Sequence, residues 1–496
     1  MLRSRRCEGD GERVDLTVGM ELERDKTREK EISCFCFSTP VRFVQVFLCF
    51  LCTWVSYVER QGFSISYTAI ASHQNTPESV KGVVLSAFYY GYASSQVPGG
   101  WIASKIGGWK VLQLSHVIWG LCSALTPTVV SLVFNDKPFV LPLLFARVMV
   151  GLAQGAVIPS IHTVLSQWIP VDEKARAVSF TTSGLYLGSA TAMAVFPSVI
   201  TSLNPESIPL ISATMAFSWI CLTFIFAREP IGDPLGISNN ALKSHHSTPL
   251  PLTNQMKDKD DKEDVLEGIH PGSSVSHSRT TKGSPNTVNW SMMLSRAAVW
   301  AIVTNNFTFH YAFYVVMNWL PTFIHSALKV ELSDLGSLKI APYVLMFLVS
   351  NLGGIVGDYL VTKKSWNVGV VRKLINTIGF VVATIALLLI PSMKSVTSSL
   401  MMTSLAVSGC AFARGGFSVN HMDIGPKYAG IIMGISNCAG TISGVIGVSL
   451  SGIILDSFGG ASSMTGWAYV FGIPAILNII GAVHFCIYAR GDRIFN

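Results

Sequence analysis

Three arginines lie in stretches whose other residues are almost all apolar: Arg60, Arg147 and Arg414. Arg147 falls in FVLPLLFARVMVGLAQGAVIPSIHTVLSQW, residues 139–168, a run long enough to cross a bilayer, which takes about 20 mostly apolar residues. A cation at that depth costs roughly 2.5–3.5 kcal/mol even on the lenient insertion scale, so it turns away from lipid. At helical spacing Arg147, Gly151, Gln154 and Ile158 share one face. Arg60 stands in CTWVSYVERQGFSISYTAIA, residues 52–71, on a stripe with Tyr57, Ser64 and Tyr67 and directly after Glu59. Planar guanidinium forks match the oxygens of carboxylate and phosphate. Two of them in one bundle need something negative between them. Glu59 can supply it permanently, as an internal ion pair; a transported anion can supply it transiently.

Further polar stripes accompany these. NNFTFHYAFYVVMNW, residues 305–319, places Asn306, His310 and Tyr314 in register, as a cavity lining would require. His310 could also sense or relay a proton, since imidazole titrates near neutrality. Arg414, Ser418 and His421 share a face, with Arg414 placed either to snorkel to an interface or to touch substrate. No nucleotide-binding loop, nucleophile elbow or metal-ligand cluster is present, which argues against an enzyme.

The elements that must position these groups are membrane spans. The chain has 496 residues, 50% of them hydrophobic and only 13% charged, with a mean hydropathy of +0.46, a composition that excludes a soluble protein. Apolar windows predict twelve spans, at 42–71, 81–103, 110–133, 139–168, 175–200, 207–227, 297–324, 337–361, 369–391, 397–420, 428–455 and 465–489. Connections bearing Lys105, Lys110, Lys174, Arg176, Arg228, Lys363, Lys364, Arg372, Lys373, Lys427, Arg490 and Arg493 fall on one face, which the positive-inside rule makes cytosolic, with both termini. The net charge of +7 therefore reflects loop asymmetry and not nucleic-acid binding. Residues 1–40 read as a disordered cytosolic tail whose many acids speak against an organelle transit peptide, and hence against a plastid. Residues 229–292, with the run KDKDDKED, read as a disordered cytosolic linker between a half at 41–228 and a half at 293–490; residues 491–496 form a short cytosolic tail. The cysteines show no metal spacing and read as small packing residues.

Several of these stretches resemble a known family. Asn420 to Asn437, NHMDIGPKYAGIIMGISN, is similar to the pattern NHLDIAPRYAGILMGISN of the anion:cation symporters, the sodium/phosphate cotransporter family that includes sialin, the vesicular glutamate transporters and plant anion/phosphate transporters. FYYGYASSQVPGGW (88–101), the Arg147 stretch and the Tyr57–Arg60 segment match as well. NNFTFHYAFYVVMNWLPTFI and the closing GDRIFN resemble most its Golgi-associated plant branch. The resemblance implies an all-α membrane protein of the major facilitator fold, twelve helices in two six-helix halves that rock about a midplane site. It implies a site lined by Arg60 and Arg147, which would neutralise a dianion, with Tyr57, Gln154, Asn306, His310, Tyr314, Asn420 and His421 as further substrate-binding residues. Glu59, His310, Arg414 and Asp358 are the candidates for proton coupling or gating. Departures from the family stand at Gln154, where many relatives have Glu; at Leu85 and Phe309, where glutamate carriers have His and Arg; and at Ser104, while Asp358 keeps the acid of the second half.

The implied activity is secondary active transport of inorganic phosphate or a similar small anion in a Golgi membrane, with Na⁺ or H⁺ as coupling ion and no cofactor or metal. The alternatives are a carrier of carboxylates such as ascorbate or glutamate, and a non-transporting receptor or scaffold. The expected partners are the anion and the lipid bilayer, the expected state a monomer.

Overall fold

The computed structural model describes residues 41–73, 78–135, 141–228, 290–329 and 340–495. The expected tail at 1–40 and the linker over 229–289 lie outside the described residues. All regular structure among the described residues is helical. The first half comprises α1 (Val41–His73), α2 (Glu78–Ile106), α3 (Gly108–Asn135), α4 (Leu141–Gly155), α5 (Val157–Trp168), α6 (Lys174–Ser202) and α7 (Ser207–Phe226). A one-turn helix, Trp290–Leu294, opens the second half and so trims the expected linker at its end. Then follow α8 (Ala297–Thr322), α9 (Ala341–Thr362), α10 (Val368–Leu389), α11 (Val396–Ile424), α12 (Ala429–Ser457) and α13 (Met464–Tyr488).

Residues 139–168 do not form the single rod that their hydropathy suggests. The rod breaks between α4 and α5 at Ala156. Pro159 lacks the N–H that would bond to the Gly155 carbonyl, which opens the ladder there. Counting α4 and α5 as one rod gives six per half. Nine of the rods are long and apolar enough to cross a membrane, among the described residues. Of the three that fall short, α2, α3 and α8, the first and last turn polar groups such as Gln96, Asn305, Asn306 and Thr308 inward, which lowers their hydropathy while keeping those groups out of lipid.

The outer surface is apolar at helical intervals. On α13, Ile476, Ile479, Ile480, Val483 and Ile487 are all exposed, while Asn478 behind them is fully buried. That inside-out distribution suits hydrocarbon as solvent. Small residues set the helix spacing within a half. A Cβ at Gly151 would stand 2.1 Å from the Phe88 carbonyl oxygen, and one at Gly91 2.1 Å from that of Val148, so α2 and α4 touch backbone to backbone. The two halves meet along a seam in which α2, α5 and α6 face α9, α11 and α12. Most of the described basic residues at the helix ends, including Lys105, Lys110, Arg176, Lys363, Lys427 and Arg490, lie at one end of the bundle, the basic face, with Lys329 and Lys394 at the other.

Candidate functional site

Glu59 carries a carboxylate into the middle of α1, with 2% of its surface exposed. Its sequence neighbour is Arg60, but consecutive residues on a helix project about 100° apart and do not face each other. The carboxylate instead reaches α4. Arg147 Nη1 donates to Glu59 Oε1 at 2.7 Å, and Gln154 Nε2 donates to Oε2 at 2.7 Å. Both oxygens are engaged, and the guanidinium also lies 3.7 Å from the Phe63 ring centroid. Of the two expected arginines, Arg147 is thus the one with an internal counter-ion.

Arg60 has none among the described residues. Its guanidinium sits in an aromatic cage, 4.5 Å from the Tyr57 ring centroid, 4.4 Å from Phe88 and 4.5 Å from Tyr92. Nη1 donates to the Tyr57 hydroxyl at 3.1 Å, while the buried Nε finds no acceptor. Tyr57 and Tyr92 in turn line a chamber at the seam, completed by Ile158, Leu185 and Tyr186 from the first half and Phe309, His310, Phe313, Tyr314, Arg414 and Asn437 from the second. Its volume is about 20 Å³, room for one or so water molecules; the site is occluded. The Asn437 amide donates to the Tyr92 hydroxyl at 3.2 Å, joining the halves across it. His310 Nδ1 donates to the Asn306 carbonyl one turn back, at 2.9 Å.

The other sequence candidates lie away from the chamber wall. Gln154 is held by Glu59, and the Asn306 amide donates to Ser436 Oγ at 3.2 Å, pinning α8 to α12. The Asn420 amide donates to the Arg490 carbonyl at 2.6 Å, near the basic face. His421 meets His162 of α5, Nε2 to Nδ1 at 2.8 Å, across the seam. Of the residues that sequence reasoning did not single out for the site, Phe88, Tyr92 and Asn437 lie in stretches that match the family pattern, whereas no spacing points to Tyr186.

On the basic face the seam is latched. Asp358 of α9 accepts from the backbone N–H groups of Ala175 and Arg176 at 3.0 and 2.8 Å, and from Arg176 Nε at 3.1 Å. It caps the positive end of α6 from the opposite half. Lys174 Nζ donates to the Met422 carbonyl at 2.9 Å and lies 3.6 Å from Asp423, which is itself paired with Arg372 Nε at 2.9 Å. A Cβ on Gly100 would stand 2.4 Å from the Gly430 carbonyl oxygen, so α2 and α12 also touch there. Toward the other face the seam is looser. The Gln61 amide reaches the Tyr343 hydroxyl at 3.5 Å, and a cavity of about 210 Å³ opens beside Tyr89, Tyr314, Asn318 and Thr441. Tyr314 lines both this cavity and the central chamber.

This geometry can be set beside known proteins. The family model described as Major Facilitator Superfamily matches residues 49–448. "Probable anion transporter 6" of Oryza sativa subsp. japonica is 42% identical over 462 residues, covering 92% of this chain and 99% of its own length. "Probable anion transporter 5" of Arabidopsis thaliana is 42% identical over 461 residues, covering 92% and 99%. At greater distance, "Ascorbate transporter, chloroplastic" of Arabidopsis thaliana is 29% identical over 92% of this chain and 76% of its own length. Among solved structures the proton:xylose symporter XylE superposes with a TM-score of 0.65 at 13% identity, over 91% of this chain and 97% of that one. The E. coli fucose:proton symporter FucP does so with a TM-score of 0.61 at 14% identity, over 91% and 100%.

Proposed function

The chain belongs to the Major Facilitator Superfamily and, within it, to the plant anion transporters, and from that premise we propose that it carries inorganic phosphate, or a small anion of that chemistry, across an endomembrane by alternating access. The single observation behind this reading is Arg60. A guanidinium that is 92% buried, with no carboxylate partner among the described residues and an idle Nε, stands behind a chamber shared by both halves. Cation–π contacts contribute on the order of 0.5–2 kcal/mol each. They steady the cation without cancelling its charge, and cancellation falls to an anion that comes and goes.

The conformation fits one stage of a transport cycle. The basic face is held shut by contacts between the halves, and the chamber is nearly empty of space. The opposite face keeps a cavity one tyrosine away. Rocking the halves about the site would break the Asp358 and Lys174 contacts and open the basic face.

Three finer statements belong to the same proposal. The basic face is cytosolic by the positive-inside rule. A Golgi-type endomembrane is favoured over the plastid, because relatives at 42% identity have names without the word chloroplastic, whereas those at 28–29% carry it. Phosphate is put first because a guanidinium fork suits it and one relative, 28% identical, is named "Sodium-dependent phosphate transport protein 1, chloroplastic". A carboxylate such as ascorbate offers the same fork-binding oxygens, so competition must separate the two.

The test is uptake of labelled phosphate into proteoliposomes under imposed Na⁺, pH and voltage gradients, with ascorbate and glutamate as competitors. Accumulation that is driven by one gradient and abolished in Arg60→Ala supports the proposal. Binding without accumulation, or uptake indifferent to Arg60→Ala, defeats it.

A further inference from the structure

The mid-membrane charges do not sum to zero. Away from the latch on the basic face, the described residues place three guanidiniums in the bundle interior, Arg60, Arg147 and Arg414, and one carboxylate, Glu59, which is spent on Arg147. We infer that Arg414, on α11, is the second cation of the anion site, so that the site selects doubly charged over singly charged anions. This rests on the transport reading above and adds the charge class of the cargo and the residue that sets it.

Arg414 has the position for that task. It lines the chamber directly, with 4% of its surface exposed. Its Nη1 donates to the Tyr186 hydroxyl of α6 at 3.3 Å, and its guanidinium lies 5.0 Å from the Phe309 ring centroid. No carboxylate among the described residues pairs with it, and its buried Nε has no acceptor. It does not snorkel: a side chain reaching for an interface would not end on a tyrosine of the opposite half. Arg414 and Tyr57 line the same chamber, and Arg60 stands directly behind Tyr57, hydrogen-bonded to its hydroxyl at 3.1 Å, so the two cations border one space. One belongs to each half. A dianion between them compensates both, whereas a monoanion leaves one buried cation unmatched. Phe309 supplies the ring beneath Arg414, which gives that aromatic a reason to stand where it does.

The experiment uses the full-length protein in proteoliposomes and two tetrahedral competitors that differ in charge at any pH near neutrality, sulfate (divalent) and methanesulfonate (monovalent). Each is titrated against labelled phosphate uptake at a fixed pH. In the wild type, sulfate should compete at least tenfold better than methanesulfonate. Arg414→Gln should bring that ratio close to one, and Arg414→Lys should restore it. Tyr186→Phe leaves the charge but removes the hydroxyl that holds it, and should lower the ratio by a smaller factor. It also serves as the measurement if Arg414→Gln does not fold.

A wild-type ratio near one overturns the inference, as does a ratio unchanged by Arg414→Gln, or by Tyr186→Phe where that variant stands in. The same competitors are scored by protection of the purified protein against thermal unfolding. Protection by sulfate that is lost in Arg414→Gln, with no uptake of phosphate by the wild type, would defeat transport and leave the charge-selecting role of Arg414 standing.

Discussion

Replacing Glu59 with Gln should be among the most damaging single changes in the membrane interior, though the two side chains have nearly the same shape. The carboxylate is 2% exposed and accepts from Arg147 at 2.7 Å and from Gln154 at 2.7 Å. A glutamine there offers one oxygen and a pair of N–H donors. Gln154 can turn its amide about and accept through its idle Oε1, but Arg147 is left facing a neutral side chain, a buried cation without its counter-ion. Arg147 cannot relieve its position by losing a proton. Removing one partner of a buried pair costs about 3–5 kcal/mol, or roughly two to three and a half decades in the ratio of folded to unfolded protein at 1.4 kcal/mol per decade. Replacing both charges should be far milder, because a buried pair exchanged for well-packed apolar groups is often neutral. Glu59→Gln with Arg147→Met should therefore recover most of the loss. Equilibrium unfolding of the purified variants in mixed micelles, read as a double-mutant cycle, measures both. If Glu59→Gln loses under about 1 kcal/mol, or the double variant is no more stable than the single, the assignment of Glu59 as the structural counter-ion of Arg147 is wrong.

Other outcomes follow from the seam and the helix contacts. Asp358→Ala removes the cap of α6 and the Arg176 pair; a lost cap is worth about 0.5–2 kcal/mol, so spin labels across the basic face should show a longer-distance population rising by roughly twofold to thirtyfold. An unchanged distance distribution would mean that this contact does not latch the face. Gly151→Val puts carbon atoms where the Phe88 carbonyl oxygen lies 2.1 Å from even a Cβ, and should eliminate monodisperse protein in size-exclusion chromatography. The sequon Asn306-Phe-Thr carries an amide that is 1% exposed and bonded to Ser436, so expressed protein should show no glycan at Asn306 by peptide mass spectrometry.

The sequence made the rods legible because hydrocarbon demands long, mostly apolar runs, a demand that nine of the twelve rods meet in full among the described residues. The break inside 139–168 was legible only in hindsight: Pro159 is visible, yet a proline in a membrane helix can leave it merely bent. For the site, residue type revealed need but not partner. An arginine in an apolar run must be compensated, and periodicity shows which face it occupies. It does not show which neighbouring helix meets that face. Glu59 and Arg60 read as a pair by adjacency; 100° of helical rotation sends one to α4 and the other to an aromatic cage. Asn420 and His421 carried the strongest family signal, and the structure spends both on holding helices together, at Arg490 and at His162. A motif can be specific to a family because it builds the seam and not because it touches the cargo. Tyr186 gave no signal, since aromatic residues are common in any span.

The arrangement of charges also bears on how occupancy could drive the halves. Arg60 is held by Tyr57 on its own helix, whereas Arg414 rises from α11 and donates to Tyr186 of the opposite half. With nothing between them they repel, and the repulsion acts along the line joining the two halves, in a medium where screening is weak. That repulsion opposes the hydrogen bonds from Arg414 to Tyr186 and from Asn437 to Tyr92 that join the halves at the chamber. On the inference drawn above, a dianion would reverse the sign of that term, because each half would then be attracted to the same central charge and the chamber would close around it. The polar latch at the basic face and the looser opposite face then only bias which side opens once the cargo leaves. Differential interaction with the two states is what lets a ligand shift a conformational equilibrium, and on the same inference that difference would come from two cations divided between the moving parts. Had both guanidiniums belonged to one half, as Arg60 and Arg147 do, binding the same anion would have neutralised charge without coupling it to the rocking motion.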